Sequence, residues 1–228
     1  MKKSGRGFGL IELMIALLLG LLVVAGVIQI FLAARSTYSS QNASARLQED
    51  ARFVLSKMIQ EVRMVGMFGC LRTITNAGNS LDVPISWDAN AATLTLLTAD
   101  VGGNGGVPTW TVVSDCVGSS RLYPGAQTPG AGQVSFPIRR VIYTYQNGQV
   151  LLGPSDNRAV LVDNVSVFNV SFGMATSATD TQATSYASAP SNPALIRSVR
   201  LSMTLRDPAG QVRDQTYSVV AALRNRLQ

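Results

Sequence analysis

Glu12 is a carboxylate at the head of an apolar run: Leu13 to Ala34 contain no charged side chain, and Gln29 is the strongest polar interruption. A charge placed in lipid costs about 2.5–3.5 kcal/mol on insertion scales, which makes such a residue a functional-site candidate by default. Other reactive groups are few. The 228 residues include no histidine, which removes the commonest general base, the commonest zinc ligand and the usual partner of a nucleophilic Ser or Cys. A Ser–Lys pair would need Lys57, which reads as a solvated charge on a helix. The two cysteines, Cys70 and Cys116, allow one disulfide and no thiolate zinc site of the usual kind. Gly102-Gly103-Asn104-Gly105-Gly106 lacks a following Lys-Ser/Thr and opens no helix, so it reads as a loop and not a phosphate cradle. Asp156-Asn157 and Asp163-Asn164 offer calcium oxygens, but without EF-hand spacing they suit turns and caps. Arg197, Arg200, Arg206, Arg213, Arg224 and Arg226 make the C-terminal third basic, and their alternation along strands suits exposed faces better than a phosphate-binding surface. The chain reads as a non-enzyme, with no metal or cofactor expected.

The element that must position Glu12 is long and apolar. About 20 such residues at 1.5 Å each span a hydrocarbon core of about 30 Å. Lys2, Lys3 and Arg6 precede the run and supply three of the formal net charge of +6. The positive-inside rule then keeps the N-terminus in the cytoplasm and sends the rest of the chain across. With 46% hydrophobic and only 14% charged residues, the composition excludes a disordered or fibrous chain. A cleaved secretory signal would have a shorter apolar core, about 7–15 residues, before its small-residue site. A plain signal anchor fits the length but leaves Glu12 unexplained.

The segment Gly7-Phe8-Gly9-Leu10-Ile11-Glu12-Leu13-Met14 resembles the type III signal of type IV pilins and their relatives. In that family a basic leader ends in Gly, Phe begins the mature chain and Glu is its fifth residue. Prepilin peptidase cuts after the Gly on the cytoplasmic side and methylates the new Phe amine. The resemblance implies cleavage between Gly7 and Phe8, N-methylation of Phe8 and a subunit-assembly role for Glu12. Gly9 stands where a small hydroxyl residue is usual.

Beyond the apolar run, Leu47, Ala51, Val54, Met58, Val62 and Val65 recur at spacings of three and four, and no proline interrupts Phe8 to Val65. One long helix is expected, ended by Gly66 and Gly69. From about Leu71 the period changes to two. Strands are expected at Thr93–Leu97, Trp110–Val113, Val141–Tyr145, Val150–Leu152, Val199–Leu205 and Val212–Ala221. Asn147-Gly148 signals a type I′ hairpin and Asp207-Pro208-Ala209-Gly210 a type I turn. Pro124–Gly132 and the Ser/Thr/Ala-rich 174–195 stretch read as loops. The fold class is α+β and pilin-like: a long N-terminal helix, membrane-spanning in its first half, packed on an antiparallel β-sheet domain. The organisation is a leader over 1–7, a transmembrane and assembly half of the helix over 8–34, a periplasmic amphipathic half over 35–66 and a globular β-rich domain over 67–228.

The whole chain resembles the PilW-type minor pilins, in Gly69-Cys70 after the helix, in Val165-Ser-Val-Phe and in the Ala222-Leu223-Arg224-Asn225-Arg226 ending. A GspJ-type pseudopilin of type II secretion shares the plan and stays open. So does a membrane-anchored adhesive or DNA-binding module. The resemblance implies a structural subunit that primes pilus assembly or sits in the tip complex, supporting adhesion, twitching motility or DNA uptake. Its implied partners are prepilin peptidase, other minor pilins, the major pilin, the inner-membrane assembly platform, a tip adhesin and inner-membrane lipid; DNA is not expected among them. The implied location is the bacterial inner membrane, single-pass with the C-terminal domain in the periplasm, and then the pilus. There both cysteines meet an oxidising compartment, so a Cys70–Cys116 disulfide is expected. It closes a loop of about 45 residues, worth about 4 kcal/mol in the chain-entropy treatment.

Overall fold

The computed structural model describes residues 9–100, 106–190 and 192–223. The chain divides into two compact units, Met1–Arg46 and Leu47–Gln228, and the division falls inside one continuous helix, α1 (Leu10–Met64). From Leu10 to Ala34 the helix is apolar all round and none of the described residues covers it. Its side chains from Leu10 (80% exposed) to Leu32 (55%) face outward, in a window of mean hydropathy 2.8 with none of its residues buried. The core helix of a soluble protein would be covered by its own fold; this one needs lipid or other helices around it.

In the second unit the same helix becomes a core element. Leu47, Ala51, Val54, Met58, Val62 and Val65, the stripe expected from the spacing, are all buried, with Leu55 beside them. Glu49, Arg52 and Gln60 lie on the exposed side, and Lys57 Nζ sits 3.9 Å from Glu61 Oε1, one turn on. The helix stops where the glycines demand: Gly66 has φ +78°, its N–H donates to Leu97 O at 3.3 Å, and Val65 bridges Thr98.

Eleven strands are defined among the described residues: β1 (Ile85–Asp88), β2 (Thr93–Ala99), β3 (Trp110–Ser114), β4 (Ser120–Pro124), β5 (Val134–Gln146), β6 (Gln149–Leu152), β7 (Ala159–Val162), β8 (Val165–Met174), β9 (Ser185–Ala187), β10 (Ile196–Leu205) and β11 (Gln215–Ala222). All pair antiparallel, in two sheets. The first runs β1-β2-β5-β3-β4, with β6 on β5 and β7 on β6; the second runs β11-β10-β8-β9. β5 joins the first sheet by sharing its length: Val134–Ile138 pairs β3, Ile138–Thr144 pairs β2, and Tyr143–Gln146 pairs β6. Leu94, Leu96 and Tyr143 of the first sheet and Phe172, Val199, Leu201 and Met203 of the second meet the helix stripe in one core. The architecture is the expected α+β one.

The differences have local causes. Ile85-Ser-Trp-Asp88 and Ala159-Val-Leu-Val162 are four-residue strands, too short for a period of two to stand out. β8 runs on to Met174, and the 174–195 stretch expected as loop contains β9 and a 3₁₀ turn, Pro193–Leu195, capped by Asn192 Oδ1. β11 begins at Gln215, not Val212. Asp207 captures the preceding backbone, accepting from the N–H of Ala209 (3.1 Å), Gln211 (2.6 Å) and Val212 (3.3 Å). Asn147 (φ +52°) and Gly148 (φ +75°) form the expected left-handed hairpin turn. The Gly102–Gly106 loop lies outside the described residues except for Gly106.

Arg197 departs from expectation. It is not on an exposed strand face but buried, with 3% of its surface accessible. Its guanidinium donates to five backbone carbonyls, of Ser177, Ala178, Asp180, Ala194 and Ile196, at 2.6–3.4 Å. A buried charge needs all its hydrogen bonds met, and here loop carbonyls meet them. The loop is thereby fixed on β10. Tyr143 shows the opposite case. Its hydroxyl is buried with no hydrogen-bond partner among the described residues, and burial, then the nearby Glu61 carboxylate, pushes its pKa up.

Two substitutions measure this core. Met58→Ala should lower the unfolding free energy by about 2–5 kcal/mol. Tyr143→Phe, which deletes the unpaired hydroxyl and keeps the ring, should leave stability unchanged or raise it by up to about 1 kcal/mol. Denaturant unfolding of detergent-solubilised protein reads both.

Candidate functional site

Glu12 lies in the first turn of α1. Its Oε2 accepts a hydrogen bond from the Gly9 N–H at 2.9 Å, and the helix opens with Leu13 N donating to Gly9 O at 3.2 Å. Gly9 is thus the N-cap and Glu12 the third helical residue, whose carboxylate reaches back to the cap N–H as in half of a capping box. An anion here also meets the positive end of the helix dipole. The cap is a local function that the membrane argument did not foresee, although the three-residue spacing from Gly9 to Glu12 carried the signal. A Cβ built on Gly9 would lie 3.7 Å from Glu12 Oε2, an ordinary contact. The hydroxyl residue usual at this place would therefore fit and complete the box. Gly7 and Phe8 lie outside the described residues.

Cys70 and Cys116 are bonded to each other, with Cα atoms 5.4 Å apart. Both residues are exposed, so the bond sits on the surface and not in either core. It joins the segment after α1 to the β3–β4 turn, and that segment already has other ties. Thr75 N donates to Ser120 O (2.9 Å) and Leu122 N to Thr75 O (3.0 Å), extending the edge of β4. Phe68, Ile74 and Leu81 cover a small second core of Ala99, Val112, Leu122 and Ile138. Gly69 (φ +153°) lies against Phe136 and Val112, where a Cβ would be in contact with both.

The β3–β4 turn is set by two polar residues. Asp115 Oδ1 accepts from the N–H groups of Val117, Gly118 and Ser119, each at 2.9 Å. Ser114 Oγ accepts from Cys116 N at 3.0 Å and donates to Ser119 O at 2.8 Å. These bonds hold Cys116 in a left-handed conformation, φ +58°. The hydrogen bonds to Asp115, that from Ser119 foremost, hold its carboxyl below the usual aspartate value.

The remaining candidates are dispersed. Arg200 stacks on the Tyr186 ring, 3.8 Å from its centroid. Arg206 Nε faces Asp214 Oδ2 at 3.5 Å, and Arg224 and Arg226 lie outside the described residues. With Arg197 buried, these cations do not form the alternating exposed row expected from the sequence. Asp163-Asn164 makes the turn between β7 and β8, with Asn164 at φ +55° and its Nδ2 donating to Asp163 Oδ1 at 2.8 Å.

Residues 2–28 match the family model of the prokaryotic N-terminal methylation motif. No curated protein matches the chain.

The turn and the bond give two expectations. The folded pKa of Asp115 is depressed, so its contribution is present above the ordinary value of 3.8 and lost as pH falls through the folded one. Amide exchange at Val117–Ser119 should therefore accelerate below pH 3.8, ahead of exchange in β10. Replacing Cys70 and Cys116 together by Ser should lower stability by about 2–4 kcal/mol, with far-UV circular dichroism unchanged, because the hydrogen bonds of Thr75 remain.

Proposed function

We propose that this chain, whose prepilin-type motif supports a type IV pilin or pseudopilin, is a minor pilin. In this reading it is a non-catalytic subunit that primes pilus assembly or sits in the tip. One observation carries the reading. The helix that bears the motif is uncovered and apolar over its first half and forms the core of a β domain over its second. A removable secretory signal would have a shorter apolar core, whereas here the apolar half runs without a break into the half that packs in the core. The helix instead serves as the anchor in the inner membrane and as the part shed into a bundle of like helices during assembly. The motif implies processing by prepilin peptidase and assembly with other pilins.

Glu12 has two acceptor oxygens and four lone-pair positions, and the Gly9 N–H takes one. The rest of the carboxylate is available to the N-terminal amine of a neighbouring subunit. Pairing the charge offsets the cost of holding it in lipid and gives docking a direction. The domain stands in the periplasm, as the basic leader predicts.

The internal cap supplies a control for the test. Glu12→Gln keeps an acceptor for Gly9 N–H and removes the charge; Glu12→Ala removes both. Both variants should be cleaved, and intact mass should show Phe8 first with one added methyl. Both should enter pili or prime them poorly at wild-type protein levels. If Glu12→Gln assembles like wild type, the charge has no role in docking. A chain that still begins at Met1 overturns the pilin reading.

A further inference from the structure

The two sheets end in edges that are treated very differently. β1 and β7 have four residues each and β9 has three, while β4 is flanked by the Thr75 segment, which bonds to its backbone. β11 has eight residues, Gln215–Ala222, with no charge, proline or bulge, and among the described residues it pairs only with β10. Its register fixes which groups are unused. Leu223 N donates inward to Arg197 O at 2.8 Å, so the odd-numbered residues of β11 face β10 and the N–H and C=O groups of Thr216, Ser218, Val220 and Ala222 point away from it. The side chains of these four residues are small and exposed. Soluble domains normally guard such an edge with lysine, proline or a bulge, because it templates strand addition.

We propose that β11 is an interface on which a second copy of this chain adds its own β11, antiparallel, to make one continuous sheet. The edge is complementary to itself. Antiparallel pairing centred on Val219 sets Ser218 against Val220 and Thr216 against Ala222, small against small, with no charge brought against a like charge along the strand. Arg200, the nearest cation in the sheet, lies one strand inward, where it is stacked on Tyr186. The size of the edge says where the pairing operates. At ~3.4 Å per residue it runs about 27 Å and presents on the order of 300 Å² per copy. That falls well short of the about 800 Å² per partner of a stable soluble complex. Two copies pair when the apolar half of α1 holds them in one membrane and raises their effective concentration, and they separate when extracted and diluted. The pairing rests on the anchor in the proposed function and not on pilus assembly.

The test uses the full chain in membranes. Ser218→Cys and Val220→Cys chains, differently tagged and co-expressed, are treated with a short bifunctional thiol reagent; the native cysteines are bonded to each other and do not compete. The mixed pair should give a product of twice the chain mass, at least about fivefold above the exposed β7 control Val160→Cys, because directly opposed residues lie about 5.5 Å apart. Dilution in detergent should abolish it. Ser218→Pro removes an outward N–H that β10 does not use. With it in place, a Thr216→Cys and Ala222→Cys mixed pair should fall to the control level, and Ser218→Lys should do the same should the proline variant misfold. Yields equal to the control, or a product whose mass shows a different partner, overturn the proposal. Recovery in the membrane fraction is scored on the same samples, so pelleted chain that does not cross-link overturns the pairing and leaves the anchor standing.

Discussion

The burial of one helical stripe in a two-sheet core is the constraint on which the rest of the molecule depends. Leu47, Ala51, Val54, Met58 and Val62 occupy one face of α1, and both sheets are built against it. Each Leu, Val or Met among them, fully buried, contributes about 1.5–3 kcal/mol. The domain cannot keep its core without the helix. The helix in turn cannot leave its apolar half in water, because side chains from Leu10 to Leu32 have no cover from the described residues. A single element therefore serves both the β domain's core and an apolar stretch that needs lipid or other helices around it, and it is one continuous helix.

How much of this was legible in the sequence follows from how each residue's role is encoded. The helix stripe and the Asn147-Gly148 hairpin rest on short-range periodicity and turn chemistry, and they stand in the structure as read. The disulfide needed only a compartment argument, since two cysteines permit one pair. β1, β7 and β9 were missed because three or four residues hold too little pattern, and their strand character comes from partners distant in sequence. Arg197 was misplaced for a related reason. Alternation along β10 says which face a residue takes, but not whether a loop closes over that face.

Glu12 shows a further limit. Its place in an apolar run marked it as a candidate, and the resemblance implied an assembly role that looks outside the chain. The structure adds a partner three residues away, Gly9 N–H, so the residue closes its own helix end as well. The cap is compatible with the docking role proposed above because a carboxylate accepts several hydrogen bonds. They also mean that truncating the side chain disturbs more than one interaction, as holds for most charged residues at helix termini.

The carbonyl shell around Arg197 has a consequence for the medium the domain can work in. Five converging backbone oxygens are the kind of nest in which many extracellular proteins hold calcium. Here the positive centre is a side chain joined to β10. A guanidinium does not give up its proton in proteins, and no chelator can withdraw it. The described part of the 175–195 stretch is thus gathered around a cation that the chain itself supplies.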